Sequence, residues 1–182
     1  MSPYQNKFTY SKNHLRFRPI LFKDLEWIRI WRNSQKIYLR QQDSLSRNDQ
    51  NNYWSNCILP SFDQLEPKQF LFCLEDFEKN KLLAYGGLVH IDWNKKYAES
   101  SFLADNDYDN NSEEYQELFT VYLDFLMLCA KELKFSCIYS ETYSFRVKHI
   151  EIIEKYGYSQ YGYLKKINNL DNHSLLHQFF IV

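Results

Sequence analysis

One stretch constrains this chain more than any other: residues 137–162, CIYSETYSFRVKHIEIIEKYGYSQYG. Cys137, Ile138 and Tyr139 make a short apolar run suited to a strand covered on both faces. Val147, Ile150 and Ile153 recur at a helical interval, with Lys148, Glu151, Glu154 and Lys155 around the remaining surface. Gly157 follows the last turn, where a residue free to take positive φ ends a helix at least cost. Tyr158, Tyr161 and Tyr163 then resume as a strand. Strand, helix, glycine stop and strand in so few residues predict a βαβ-type unit late in the chain.

The rest of the chain must complete a core around that unit. At 182 residues one domain is expected, over residues 14–182, with residues 1–13 as a loose extension. A formal net charge of -1 gives no electrostatic reason to expect nucleic acid or an anionic membrane as partner. Aromatic residues are plentiful (15 Tyr, 14 Phe), and Gly and Pro number four each, a balance that argues against disorder. Cys57, Cys73, Cys129 and Cys137 form no C-x-x-C pair and are expected as buried free thiols. With no apolar signal core and no uninterrupted apolar span, a soluble cytoplasmic protein is predicted.

Periodicity supplies the remaining elements. Leu15, Phe17 and Pro19 alternate with Arg16 and Arg18 as a strand, and residues 22–32 follow as a helix. Ser46 with Asp49 is a capping box opening a second helix past Trp54. Strands are expected over 70–75, 82–93 and 97–103, with Gly86-Gly87 marking a bulge or the close approach of another backbone. A long helix over 112–133 has Ser112 as its N-cap and Glu113 and Glu114 in its first turn. A hairpin turn over 168–172 leads to a closing strand from Leu175. The order is β-α-α-β-β-β-α-β-α-β-β.

The opening segment resembles the pattern E-x-F-x-x-N-x-x-A-I-x-L-Y-E-K-L-G-F of the GNAT superfamily of N-acetyltransferases, in its branch that acetylates protein N-termini and amino sugars. It stands here as Glu141, Tyr143, Arg146, His149, Ile150, Ile152, Ile153, Glu154, Lys155, Tyr156, Gly157 and Tyr158. A second likeness lies in Trp31-Arg32-Asn33, then Arg40, then a polar-capped helix containing Trp54. The resemblance implies an α/β (α+β) fold, a mixed and mostly antiparallel sheet of six to seven strands flanked by about four helices. It implies acetyl-CoA as acyl donor and a primary amine as acceptor, of a nucleotide-linked amino sugar or a protein N-terminus, and leaves room for a homodimer. Glu99 would act as base through water, and Tyr143 could stand in as the general acid. Leu103, Ala104, Asn110, Asn111, Ser112 and Arg146 would hold the donor; Trp31, Arg32, Asn33 and Arg40 would hold the acceptor.

Two positions of the pattern and one further loop depart from the family. Arg146 replaces an Asn, and Ile153 replaces the Tyr that serves relatives as general acid. The loop that cradles the donor's pyrophosphate in relatives is glycine-rich with a basic or Gln start; here it reads Asp109-Asn110-Asn111-Ser112-Glu113-Glu114. An alternative reading follows from these departures: a catalytically inactive module of the same fold, kept for binding. No metal is expected, because His90 and His149 stand alone and His173 and His177 lack further ligands. No P-loop or dinucleotide fingerprint occurs.

Overall fold

The computed structural model describes residues 8–165 and 173–181. Strands β1 (Tyr10–Lys12) and β2 (Leu15–Pro19) form a hairpin turned at Asn13, which takes a left-handed conformation. Then come α1 (Leu25–Ser34), α2 (Arg47–Tyr53), one wide π-helical turn over Trp54–Ile58 and the short α3 (Leu59–Ser61). Strands β3 (Phe70–Asp76), β4 (Lys81–Asp92) and β5 (Tyr97–Ala104) follow. The chain closes with α4 (Glu113–Glu132), β6 (Cys137–Tyr143), α5 (Val147–Tyr156), β7 (Ser159–Lys165) and β8 (His173–Phe180). All eight strands join one sheet in the order β1-β2-β3-β4-β5-β6-β8-β7. Every neighbouring pair is antiparallel except β5 and β6.

The mixed, mostly antiparallel sheet is the one the sequence implies, with one strand more. That strand is β1, placed where only a loose extension was expected. Tyr10, Ser11 and Lys12 carry no apolar alternation because they pair only at the sheet's edge. Phe8, just before them, is buried against the edges of Phe70 and Phe72. The expected turn at 168–172 lies outside the described residues.

Local signals act as read. Ser46 and Asp49 bond reciprocally at the start of α2, Ser112 Oγ accepts the Tyr115 N–H at 3.1 Å, and Gly157 ends α5 at φ 117°. Gly86 and Gly87 make close approaches, and the β3–β4–β5 register runs through them without a bulge. A Cβ on Gly86 would lie 2.0 Å from the Ser101 carbonyl oxygen, and one on Gly87 1.8 Å from that of Phe70. Of the four thiols, Cys73 and Cys129 are buried, but Cys57 is exposed, because its π-helical turn aims it away from the sheet.

Helices cover both faces of the sheet. Phe70, Phe72 and Leu74 point to the α4–α5 side, while Leu71 and Cys73 join Leu25, Ile28 and Trp31 of α1 on the other. On the α1 side a charged group is also enclosed. Arg18 forks onto the Asp24 carboxylate at 2.7 and 2.8 Å and donates through Nε to Glu75 at 2.7 Å. Burial opposes ionisation of Glu75, but donation by Arg18 and Arg16 outweighs it and holds this carboxyl below its ordinary range.

Candidate active site

The parallel contact between β5 and β6 is short: Tyr97↔Cys137, Ala98↔Ile138 and Glu99↔Tyr139. Beyond Glu99 the two strands part, although β5 runs on to Ala104 and β6 to Tyr143. The last rung is a side chain, with Ser100 Oγ donating to the Tyr139 carbonyl at 3.2 Å. The Asp105 N–H donates to Leu83 O, and the β4–β5 register is unbroken from Ala84↔Ala104 to Val89↔Glu99. By the alternation of antiparallel bonding, the peptide groups of Glu99, Ser101 and Leu103 face β4. Those of Ser100, Phe102 and Ala104 face into the fork. The carbonyl of Ala104 is taken by Gln35 Nε2 at 2.9 Å, which leaves Phe102 as the open strand edge in the middle of the gap.

At the point of the fork lies a cluster of charges. Glu99, only 4% exposed, accepts from Arg40 Nη2, and Arg40 Nη1 donates to Glu141 on β6 at 2.8 Å. Burial alone would lower the Arg40 pKa; the two carboxylates outweigh it and raise it above the ordinary value. His90 Nε2 lies 3.8 Å from the second Glu99 oxygen, brought there by an irregularity in β4 between Val89 and Asp92, where His90 takes φ 50°. Two carboxylates and one guanidinium leave this end with one net negative charge. Tyr143 also lines the cleft, with its hydroxyl 3.4 Å from the Leu39 carbonyl and its ring stacked on Phe145.

The far end of the cleft is built by α4 and α5. Arg146 precedes α5, lies over the Tyr38 ring at 5.1 Å and donates to the Tyr115 hydroxyl at 3.0 Å. Arginine only donates, so the Tyr115 hydrogen goes to His149 Nδ1 at 2.9 Å, and the His149 proton sits on Nε2. Burial, then the charges of Arg146 and His177, hold His149 well below its ordinary pKa, and the ring is neutral. Burial raises Tyr115 to about 12 against the pull of Arg146.

At the start of α4, Asp109 turns back on the loop. Its carboxylate accepts the Asn111 N–H at 3.0 Å, and its carbonyl accepts the Ser112 N–H at 2.9 Å. Asn110, Asn111 and Ser112 are thus placed at a helix start whose amides are partly engaged from within.

Other residues singled out from sequence lie elsewhere. Trp31 is 2% exposed in the core beside α1. The Asn33 side chain donates through Nδ2 to the Leu45 carbonyl at 2.9 Å and accepts the Leu45 N–H through Oδ1 at 2.8 Å, and Arg32 donates to Gln41 at 3.0 Å. Arg32 and Asn33 therefore brace the loop that carries Arg40, Trp31 packs in the core, and none of the three lines the cleft. Leu103 turns its side chain to the α1 side. Ile153 is fully buried, and the Tyr156 hydroxyl donates to Asp124 on α4 at 2.8 Å. The sequence reading did not single out Ser100 or Phe102, which line the cleft, nor Tyr115 behind it, and took His149 only as a pattern position and a lone histidine; the alternation of β5 could have pointed to the first two. Among the described residues, no three His, Cys, Asp or Glu side chains gather as metal ligands would, and no helix is long and apolar enough to cross a membrane.

A model of the family described as "Acetyltransferase (GNAT) domain" matches residues 18–177. Among solved structures, the chain is similar to a spermidine N-acetyltransferase from Vibrio cholerae in complex with CoA and spermine. The TM-score is 0.77 at 18% identity, covering 93% of this chain and 97% of that one. It is also similar to a ribosomal-protein-S5-alanine acetyltransferase from Vibrio fischeri, with TM-score 0.72 and 14% identity over 95% and 96% of the two chains. A dodecameric structure of the Vibrio cholerae spermidine enzyme gives TM-score 0.72 at 18% identity over 93% and 95%. No match is found among curated proteins. Shared architecture at such low identity speaks only for the fold; the domain match, which spans most of the sequence, shows that the chain belongs to the GNAT acetyltransferase family.

Proposed function

We propose that this protein, through one domain over residues 14–182, transfers an acetyl group from acetyl-CoA to a primary amine. The observation that carries the reading is the β5–β6 fork with Glu99 at its point. The open peptide groups of Phe102 suit the two amides of a pantetheine arm, which would add to β5 as a short extra strand. That arm would bring its thioester to the end of the gap, beside Glu99. Glu99 takes a proton from the amine, directly or through one water, as the nitrogen adds to the thioester carbonyl. The C–N bond forms, the C–S bond breaks, and the electron pair leaves on sulfur.

The net negative charge around Glu99 and Glu141 favours an acceptor that carries an ammonium group. A nucleotide-linked amino sugar, the first candidate from sequence, would bring its phosphates towards these carboxylates while Arg40 is already engaged. A cationic small amine or a protein N-terminus fits the charge better. A cytoplasmic setting and an assembly of identical subunits, as in the dodecameric Vibrio cholerae structure, belong to the same proposal.

The test has two stages. Acetyl-CoA at one hundred times its dissociation constant stabilises the folded state by about 2.7 kcal/mol, roughly 5–11 °C in Tm for a chain of this size. Thiol release is then measured with spermidine, an alanine-terminated peptide and a nucleotide-linked amino sugar, and Glu99→Gln should lower kcat by about 10²–10⁴. No Tm shift at millimolar acetyl-CoA overturns the transferase reading in favour of an inactive binding module.

A further inference from the structure

Breaking the thioester puts charge on sulfur, and the residue standing where relatives place a tyrosine for that charge is Ile153, which has no proton to give. A hydroxyl reaches the point of the fork by another route. Tyr158, 3% exposed in the core beneath α4 and α5, donates its O–H to Ser100 Oγ at 3.4 Å. Ser100 lines the cleft and donates in turn to the Tyr139 carbonyl. Position 158 is occupied by Phe in the family pattern, so the hydroxyl absent at 153 is present at 158.

Strand geometry places this pair well. Successive residues of β5 point to opposite faces of the sheet. Ala98 and Phe102 join the α4–α5 core and Leu103 the α1 core, which puts Ser100 on the α4–α5 face and Glu99 on the other. A thioester at the point of the fork would therefore meet a carboxylate from one side and a hydroxyl from the other. The amine approaches on the Glu99 face; the sulfur departs on the Ser100 face.

Resting on the transferase reading above, we propose that Ser100 Oγ–H is the hydrogen-bond donor to the departing thiolate, aligned by Tyr158. As the C–S bond breaks, the Ser100 hydrogen swings from the Tyr139 carbonyl to the sulfur, while the Tyr158 hydrogen fixes the lone pair of Oγ that would otherwise compete. The amine proton goes to Glu99 and from there to solvent, and solvent returns one proton to the thiolate once the product has formed. Ser100 and Tyr158 end the cycle as they began, so neither is ionised in the buried site.

Titration of the thiol of bound CoA tests this without an acceptor. Ultraviolet absorbance of the thiolate is followed against pH for the CoA complexes of the native protein, Ser100→Ala and Tyr158→Phe. A hydrogen bond to a charged group corresponds to about tenfold in thiolate fraction, so the native complex should show about ten times more thiolate than free CoA at the same pH. Ser100→Ala should abolish that excess, and Tyr158→Phe, which installs the pattern's own aromatic residue, should remove part of it. If CoA binds and its thiol titrates alike in the native and Ser100→Ala proteins, the proposed role of Ser100 is overturned and the transferase reading stands. If CoA fails to shift the Tm of the native protein, the transferase reading falls, and the role of Ser100 with it.

Discussion

Replacing Arg40 by Met keeps the length of the side chain and removes its charge. In the native protein the guanidinium stands between Glu99, whose side chain is 5% exposed, and Glu141, at 10%. At about 4 Å and an effective dielectric near 20, one such pair is worth roughly 4 kcal/mol before desolvation. The Arg40 side chain is 44% exposed, however, and solvent screening brings each pair towards the ~1 kcal/mol measured for exposed pairs. The two pairs together then give about 1–2 kcal/mol, or about 2–8 °C in Tm. The electrostatic share is read from salt, which screens charges at a half-exposed site. Raising ionic strength from about 0.01 M to about 1 M shortens the screening length from about 30 Å to about 3 Å, so the deficit of the variant should shrink as salt rises. Thermal melts across that range decide it. An equal deficit at every salt concentration refutes the electrostatic account and leaves Arg40 acting by packing alone.

Asp24→Ala strands the Arg18 guanidinium, 11% exposed, with Glu75 as remaining partner, and should cost about 3 kcal/mol in urea unfolding. Gly86→Ala drives a Cβ to 2.0 Å from the Ser101 carbonyl, so β4 and β5 must separate; loss of the cooperative melt is expected, whereas Gly162→Ala, with its nearest neighbour at 3.6 Å, should melt within about 1 kcal/mol of native. Tyr115→Phe removes the donor to His149 Nδ1 and should lower stability by about 1–2 kcal/mol, with a change in the His149 ring-nitrogen shifts reporting release of the tautomer. Asp109→Ala removes a charge from the start of α4 and releases the Asn111 N–H; it should tighten CoA relative to pantetheine by about fivefold, measured by calorimetry.

The elements with local signals were legible. Ser46 with Asp49, Ser112 and Gly157 act on backbone groups within a few residues, so sequence spacing alone reports them. The long stripe from Tyr115 to Leu133 likewise needs nothing outside its own helix to be read. What failed to show was set by pairing. β1 exists because β2 offers an edge, and its own three residues carry no period. Trp31-Arg32-Asn33 matches a family pattern, yet Asn33 is spent on Leu45, twelve residues on, and its use became visible only when the loop closed. Leu103 and Ala104 adjoin Phe102, whose peptide groups face the fork. Which peptide groups of β5 face the fork depends on its hydrogen bonding to β4, and Phe102 could not be chosen without that register. Tyr158 and Ser100 stand 58 residues apart, so no spacing rule joins them.

The two arginines of the cleft resolve the conflict posed by the acidic loop. Arg40 is engaged by two carboxylates, and its charge is more than cancelled where Glu99 stands. Arg146 rests on a tyrosine ring and a tyrosine hydroxyl, partners that hold a guanidinium in place without neutralising it. The same residue type therefore leaves one end of the cleft negative and keeps a cation at the other. On the transferase reading proposed above, an ammonium acceptor would be drawn to the first end and a phosphate-bearing donor to the second, although Asp109 stands where relatives begin this loop with a basic residue or Gln. Asp109 already engages the Asn111 N–H just before α4, so on that reading donor recognition would rest on Arg146 and the open edge at Phe102. A pantetheine arm laid along that edge would be aligned by the strand itself, and the proposed roles of Glu99 and Ser100 both depend on that alignment.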